Sequence, residues 1–247
     1  MALNRVLLAA AVLVAALTAR LGIWQLDRAE QKTQLQQAAQ SQAALPPLAA
    51  AALPRTRADG LAPAHRRAVL QGQWLAERSI YLDNRPMNGR TGFYLVTPLM
   101  LADGSAVLVQ RGWLPRDPLD RARVAPPPAA TGWVTVQGRI APALARLYEF
   151  DAAATGAIRQ NLVIDAYAQE TALPLRPWAL VQDSGLNATP PAPPDGLLRQ
   201  WPAPDAGLHK HYGYAFQWFS LSALTFLLYA WFQFIRPRRH AARPLSR

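Results

Sequence analysis

The strongest constraint on this chain is an uncharged stretch near its C-terminus. From Tyr212 to Ile235 there are 24 residues without an Asp, Glu, Lys, Arg or His. A helix rises ~1.5 Å per residue, so the stretch measures roughly 36 Å, enough to cross a hydrocarbon core of about 30 Å with some tilt. Inside such a core every backbone polar group must pair within the protein, and a single segment can do that only as a helix. The stretch is entered through LHKHYGYAFQW, with His209, Lys210 and His211 immediately upstream, and left through RPRRHAAR. With a histidine pair at one mouth and a basic cluster at the other, any polar site it serves is expected at a membrane surface.

A second apolar stretch runs from Val6 to Trp24, broken only by Arg20. A cleaved signal peptide with Arg5 as its positive region is the competing reading. Cleavage at Ala19 would place Leu17 at the minus-three position, a poor fit to the small-residue pattern, and the apolar run continues through Leu21-Gly22-Ile23-Trp24. A retained membrane helix is therefore expected. Arg20 lies one turn below Trp24, near enough to the helix end to snorkel to the interface.

Charge sets the expected orientation. The chain carries +11 overall, of which the first 24 residues hold +2, residues 25–211 hold +4 and residues 236–247 hold +5. Arginine after the second span and Arg5 before the first place both termini in the cytoplasm, with the middle of the chain on the far side. Trp24, Tyr212, Tyr214 and Trp218 would form the outer aromatic belt, and Tyr229 and Trp231 the inner one. The first span begins too close to Met1 to leave room for an organelle transit peptide, so a bacterial inner membrane with a periplasmic domain is expected. The excess charge sits at the termini, and no basic patch interleaved with aromatics occurs between the spans, which argues against nucleic acid.

Two positions fit membrane helices, at 4–25 and 212–235, followed respectively by a helical extension and linker (26–65) and a basic cytoplasmic tail (236–247). Residues 26–44 are rich in helix formers and free of Gly and Pro until Pro46-Pro47 stops them. Residues 47–63 suggest a short helix plus linker. From 66 to 208 the pattern changes to short apolar runs of period two. Strands are expected at Ala68–Trp74, Ser79–Asp83, Gly92–Leu101, Ala106–Trp113, Trp133–Ile140 and Trp178–Val181, with a short helix at Asp165–Thr171. Turns are expected at Arg85-Pro86-Met87-Asn88-Gly89, at Asp103-Gly104 and at Pro115-Arg116-Asp117-Pro118, and a surface loop at the prolines 190, 191, 193 and 194. The fold class is thus an α+β membrane protein: two transmembrane helices flanking a mainly antiparallel β extracytoplasmic domain, a small barrel or sandwich.

The chain has no cysteine, which excludes disulfides, thiol catalysis and thiolate metal centres. It has no G-x-S-x-G elbow, no H-E-x-x-H and no Gly-rich phosphate loop, so ordinary side-chain catalysis is not expected. Asp117 and Asp120 lie between arginines and read as a solvated turn. Arg85 and Arg90 around their turn read as solvated, with an anionic lipid or carboxylate as the alternative. In LVQRGW, Gly112 would permit a bulge or close backbone approach and Trp113 would anchor a core or the membrane interface. His209 and His211 stand just outside a helix N-terminus, whose dipole favours a neutral imidazole able to ligate a metal. Haem iron needs only one or two such nitrogens, with aromatic walls and cations for its propionates. Tyr212, Tyr214 and Trp218 offer the walls, and Arg20 and Lys210 the cations. A polar collar without a ligand fits the same spacing.

Three blocks carry a family resemblance. Trp24-Gln25 with Arg28 and Lys32 resembles a W-Q-x-x-R-x-x-x-K pattern. A second block runs from Arg85-Pro86 through Gly92, Thr97-Pro98 and Asp103-Gly104 to LVQRGWLPRD. The third is His211-x-x-Tyr214-Ala215-x-Gln217-Trp218. In order and placement they resemble the Surfeit locus protein 1 family of cytochrome c oxidase assembly factors, across essentially the whole chain. The resemblance implies a non-enzymatic bacterial factor that binds haem a and hands it towards oxidase subunit I, alongside the haem a synthesis enzymes. It implies His211 as metal ligand; with that ligand, Tyr214 and Trp218 are expected as pocket walls, and depth and charge suggest Arg20 or Lys210 as a propionate partner. It does not extend to His209, since this chain has His209 and Lys210 where the family usually carries asparagine. A scaffold that stabilises oxidase intermediates without haem is the alternative.

Overall fold

The computed structural model describes residues 2–117, 119–120, 124, 127–148, 156–183, 195–201 and 207–236. It divides into two compact units, one made of Met1–Gln37 with Pro204–Arg247, the other of Ala38–Ala203.

The first unit is a helix pair. Helix α1 spans Ala2–Ala44 without a break, so the extension foreseen after Trp24 continues the same helix, and it ends two residues before Pro46. At the other end of the chain a helix spans Leu208–Ala230 and passes into a π-helical turn, Trp231–Ile235. Both helices are long and apolar enough to cross a membrane. Most of their large apolar side chains face outward, Leu13 at 70% and Phe216 at 73% exposure among them. One stripe of α1 is covered instead: Ala15, Thr18, Gly22 and Ala29 are buried, at the i, i+3, i+7 spacing that keeps residues on one helix face. Ser222 donates to the Ala15 carbonyl at 2.9 Å, and a Cβ on Gly22 would lie 2.8 Å from the Phe219 ring. Small residues let the two backbones approach closely, as they do between helices in lipid.

The second unit is built on five strands that close on themselves. These are β2 (Arg67–Trp74), β4 (Arg90–Leu101), β5 (Ala106–Pro115), β6 (Trp133–Ala141) and β8 (Leu175–Gln182). Around the ring the order is β2-β4-β5-β8-β6 and back to β2. Three sequential strands with the next returning beside the first make a Greek key. All these pairs are antiparallel except β5–β8, which is parallel. The barrel form of the expected fold is therefore the one observed, with one parallel seam. It closes where Gly72 of β2 meets β4: a Cβ there would lie 2.4 Å from the Met100 carbonyl oxygen.

Alternate residues fill the interior, including Leu70, Leu99, Val109, Ile140, Trp178 and Leu180. The opposite face of β4 and β5 is also covered. Strand β3 (Ile80–Met87) adds to β4, and Ile164 and Tyr167 of α2 (Ile164–Thr171) pack on Leu82, Val96 and Leu108. Two-residue strands β1 (Leu48–Ala49) and β7 (Ile158–Arg159) pair parallel with β2 and β3. Arg176, 1% exposed, donates to the Ala50 and Leu53 carbonyls and to Asp103, and so ties the segment after α1 to the barrel.

Two expectations are corrected. The turn foreseen over Arg85–Gly89 is shorter, because β3 continues to Met87 past a register shift between Leu82 and Arg85. Only Asn88 (φ 51°) and Gly89 (φ 74°) make the turn, the left-handed pair that a two-residue hairpin needs. Arg85 is not solvated: it is 2% exposed, lies over the Tyr94 ring and donates to the Gln160 carbonyl at 2.7 Å. Arg90 is exposed, as expected. Asp117 accepts from the backbone N–H of Leu119 and Asp120 and forms a turn. The loop expected at prolines 190–194 lies outside the described residues, as does the tail beyond Arg236.

In LVQRGW both structural expectations hold. The β4–β5 register shifts between Leu95 and Val96, leaving Arg111 as the extra residue of a bulge. Trp113 is 1% exposed in the core and donates through Nε1 to the Arg85 carbonyl at 2.8 Å. Arg111 itself is re-aimed into a buried ion cluster. It reaches Asp195 at 3.3 Å and lies 4.9 Å from the Trp74 ring centre, while Arg199 meets the same carboxylate at 2.6 Å. Burial pulls the Arg111 guanidinium below its ordinary pKa, and the Asp195 charge pulls the other way.

Candidate functional site

The site is built at the end of the helix pair where α3 (Leu208–Ala230) begins. Gly207 caps the helix in the left-handed conformation (φ 55°), and its carbonyl accepts from the N–H of Lys210 at 3.0 Å and of His211 at 3.4 Å. The helix therefore starts earlier than expected. His209, Lys210 and His211 stand in its first turn, not before it.

That one difference separates the two histidines. Residues two apart on a helix are turned by roughly 200° around its axis. His211 shares a face with Ala215, Trp218 and Ser222, the half-buried or buried line of α3, and His209 is exposed. From the covered stripe of α1, Gln25 meets this line: His211 Nδ1 and Gln25 Oε1 are 2.7 Å apart. The described residues bring His211 and Trp218 onto one face, two turns apart. Tyr214, 52% exposed, flanks that face.

The cations are placed differently from expectation. Arg20 is exposed, and it stands midway between Thr18 and Gly22, which puts it on the side of α1 opposite the covered stripe. It is not brought to His211. Lys210 is exposed near the cap, and Lys32 of α1 joins it there: a Cβ on Gly207 would lie 3.9 Å from Lys32 Nζ and 4.0 Å from Lys210 Cδ. The Lys32 ammonium and the Lys210 side chain thus come together beside Gly207, one turn before the imidazole on α3.

Gln25 and Lys32 were assigned no role from sequence. Their signal was present all the same. Both belong to the W-Q-x-x-R-x-x-x-K pattern, and seven residues apart they share one helix face. Among the described residues no group of three or more His, Cys, Asp or Glu side chains converges as a bare metal ion would require. A single half-buried imidazole with an oriented ring can supply one axial nitrogen to a metal held mainly by its own macrocycle.

Two long apolar helices, paired antiparallel, with a five-stranded Greek-key barrel between them in the chain, define a two-helix barrel protein whose helices are long and apolar enough to cross a membrane. The chain belongs to the SURF1 family, whose model matches residues 12–223, from the first helix through the barrel into α3. It is similar to the "Cytochrome oxidase assembly protein SHY1" of Saccharomyces cerevisiae, 31% identical over 97 residues, 38% of this chain and 24% of that protein. It is also similar to a "SURF1-like protein" of Rickettsia felis, 35% identical over 95 residues, covering 38% of this chain and 39% of the relative. A "SURF1-like protein" of Dictyostelium discoideum is 32% identical over 59 residues, 24% of this chain and 22% of the relative. The chain thus aligns with well under half the length of these curated relatives.

Proposed function

We propose that this protein is a cytochrome oxidase assembly factor that binds haem a at the paired mouth of α1 and α3 and assists its delivery to oxidase subunit I. Family membership and the name of the yeast relative support the assembly role. The observation that carries the haem reading is His211, half-buried on the covered face with its Nδ1 engaged by Gln25. His211 would ligate the iron, Trp218 and Tyr214 would border the macrocycle, and Lys32 and Lys210, which come together near Gly207, would meet its carboxylates. Arg20, on the opposite face, instead suits the interface between protein and lipid. When bound, haem a supplies an iron with an open coordination position that an imidazole nitrogen can fill; the protein would supply the nitrogen and the cations.

The function is non-enzymatic, a transfer between the haem a synthesis enzymes and subunit I. Both helices span a bacterial inner membrane with the termini in the cytoplasm, and the barrel stands in the periplasm, as the arginine-rich tail favours. The test is the absorption spectrum of the detergent-purified protein co-expressed with haem a synthesis. A haem a spectrum lost in His211→Ala is expected. A spectrum retained in that variant sinks the ligand assignment. Haem-free wild-type protein, with an oxidase that keeps its haem but fails to associate in a deletion strain, would point to the scaffold role instead.

A further inference from the structure

Between Ala11 and Ala29 the fully buried positions of α1 are small or hydroxylated, and Gln25 is the one amide among the covered residues. A primary amide in such a place is costly unless it is hydrogen-bonded, and this one is bonded to a single named atom, His211 Nδ1, at 2.7 Å. An amide oxygen has no hydrogen to give, so the bond forms only when Nδ1 carries the proton. A neutral imidazole has one N–H and one lone pair. With the proton held at Nδ1, the lone pair is on Nε2.

We propose that Gln25 is a positioning residue: it fixes the Nδ1–H tautomer and ring orientation of His211, and so presents Nε2 as the nitrogen that meets iron. The inference rests on the haem reading of His211. Metal-bound histidines generally donate their second ring N–H to an oxygen, and loss of that partner lowers metal affinity by roughly tenfold to a hundredfold. Here the partner comes from the other helix, so the liganding nitrogen is set only when α1 and α3 are paired. The same amide turned over would offer its N–H₂ to Nδ1, put the proton on Nε2 and leave no nitrogen for the metal.

The experiment uses the full chain in detergent with ¹⁵N-labelled histidine, observed at about pH 8, where an ordinary imidazole is neutral. The His211 signals are assigned by their loss in His211→Ala. The expected wild-type pattern is a protonated Nδ1 and a bare Nε2. Gln25→Leu keeps the volume and removes the acceptor; the His211 tautomer should shift towards Nε2–H, and haem a affinity should fall roughly tenfold to a hundredfold, lowering occupancy. Gln25→Glu keeps an acceptor and should restore both the tautomer and the occupancy, with a lower midpoint potential because the carboxylate makes the imidazole a stronger donor. A protonated Nε2 in the wild type overturns the proposal. So does Gln25→Leu that loses thermal stability while tautomer and occupancy stay unchanged, since a mere interhelical clasp would behave that way. The ¹⁵N signals are read without haem, so failure of the haem reading, seen as a spectrum retained in His211→Ala, is distinguishable from failure of the tautomer.

Discussion

Replacing Asp195 with alanine removes the carboxylate from between two buried guanidinium groups. The side chains of Arg111, Asp195 and Arg199 are 4%, 4% and 3% exposed, so neither arginine can turn to bulk solvent without disturbing the packing around it. Asp195 also accepts from the Leu197 N–H at 3.2 Å, and Leu197 packs with Tyr81, Phe93 and Leu95. Removing one partner of a buried pair costs about 3–5 kcal/mol, because the remaining charge stays desolvated. For a unit of this size 1 kcal/mol moves the melting temperature by about 2–4 °C, so a fall of roughly 6–20 °C is expected. The control is Asp165→Ala, which breaks a pair with Arg57 whose side chains are 56% and 63% exposed. Such surface pairs contribute about 0–1 kcal/mol, so that variant should melt within a few degrees of wild type. Thermal unfolding of the full chain, followed by the near-ultraviolet circular dichroism of its tryptophans, measures both. If Asp195→Ala melts no lower than Asp165→Ala, the cluster does not hold the segment Asp195–Trp201 on the barrel, and the reasoning fails.

Two further outcomes follow from the helix pair and from the first hairpin. Gly22→Leu should drive Phe219 off α1 and part the helices; in this cysteine-free chain, bismaleimide cross-linking of an Ala15→Cys, Ser222→Cys pair should fall severalfold, and unchanged yield would contradict the close approach. Asp103 is held well below the usual carboxylate range by the Ser105 hydroxyl and backbone N–H, with Arg55 and Arg176 adding to it. A folded-state pKa below the unfolded value of ~3.9 gives stability that is present above that value and lost as the pH falls through the folded one. Urea unfolding should therefore show stability dropping below about pH 4, with a shallower slope in Asp103→Asn; equal slopes would remove Asp103 from the account.

The strands were legible where one face alternates, and their pairing was not. The runs at Ala68–Trp74 and Trp133–Ile140 show period two because the outer faces of β2 and β6 are partly solvated. Strand β4 is buried on both faces from Gly92 to Met100 apart from a half-exposed Met100, so only a continuous apolar run marks it. Nothing local to β2 or β4 announces that Gly72 will meet Met100, or that β8 will lie parallel to β5. Those contacts join residues tens of positions apart and depend on the volume that the interior side chains fill. Pro86 read as a turn because it gives no N–H; on outer strand β3 that loss is tolerated, and the strand runs through it. Arg85 and Arg111 read as surface charge for a related reason. A buried guanidinium has no sequence signature apart from its partners, here a backbone carbonyl at Gln160 and a carboxylate 84 residues away.

The same distinction governs the site. His209 and His211 are chemically identical, flank one lysine and enter the same span, so composition treats them as a pair. A helix treats them as opposites. Once α3 begins at Leu208, the face carrying Ala215, Trp218 and Ser222 must carry His211 as well, and His209 must turn away from it. The motif register singles out His211 by resemblance; the structure places His211, and not His209, on the covered face, bonded to a residue 186 positions earlier. Gln25 was visible in the first motif from the outset, but a glutamine beside an interfacial tryptophan carries no chemistry until its partner is known. Arg20 shows the converse. Its depth and charge matched a propionate partner, yet depth is only one coordinate of a helical residue, and the angle around the axis puts Arg20 on the far side. On the proposed haem reading the mouth offers Lys32 and Lys210 as cations, and the Gln25 bond that orients the His211 imidazole exists only while the two helices stay paired.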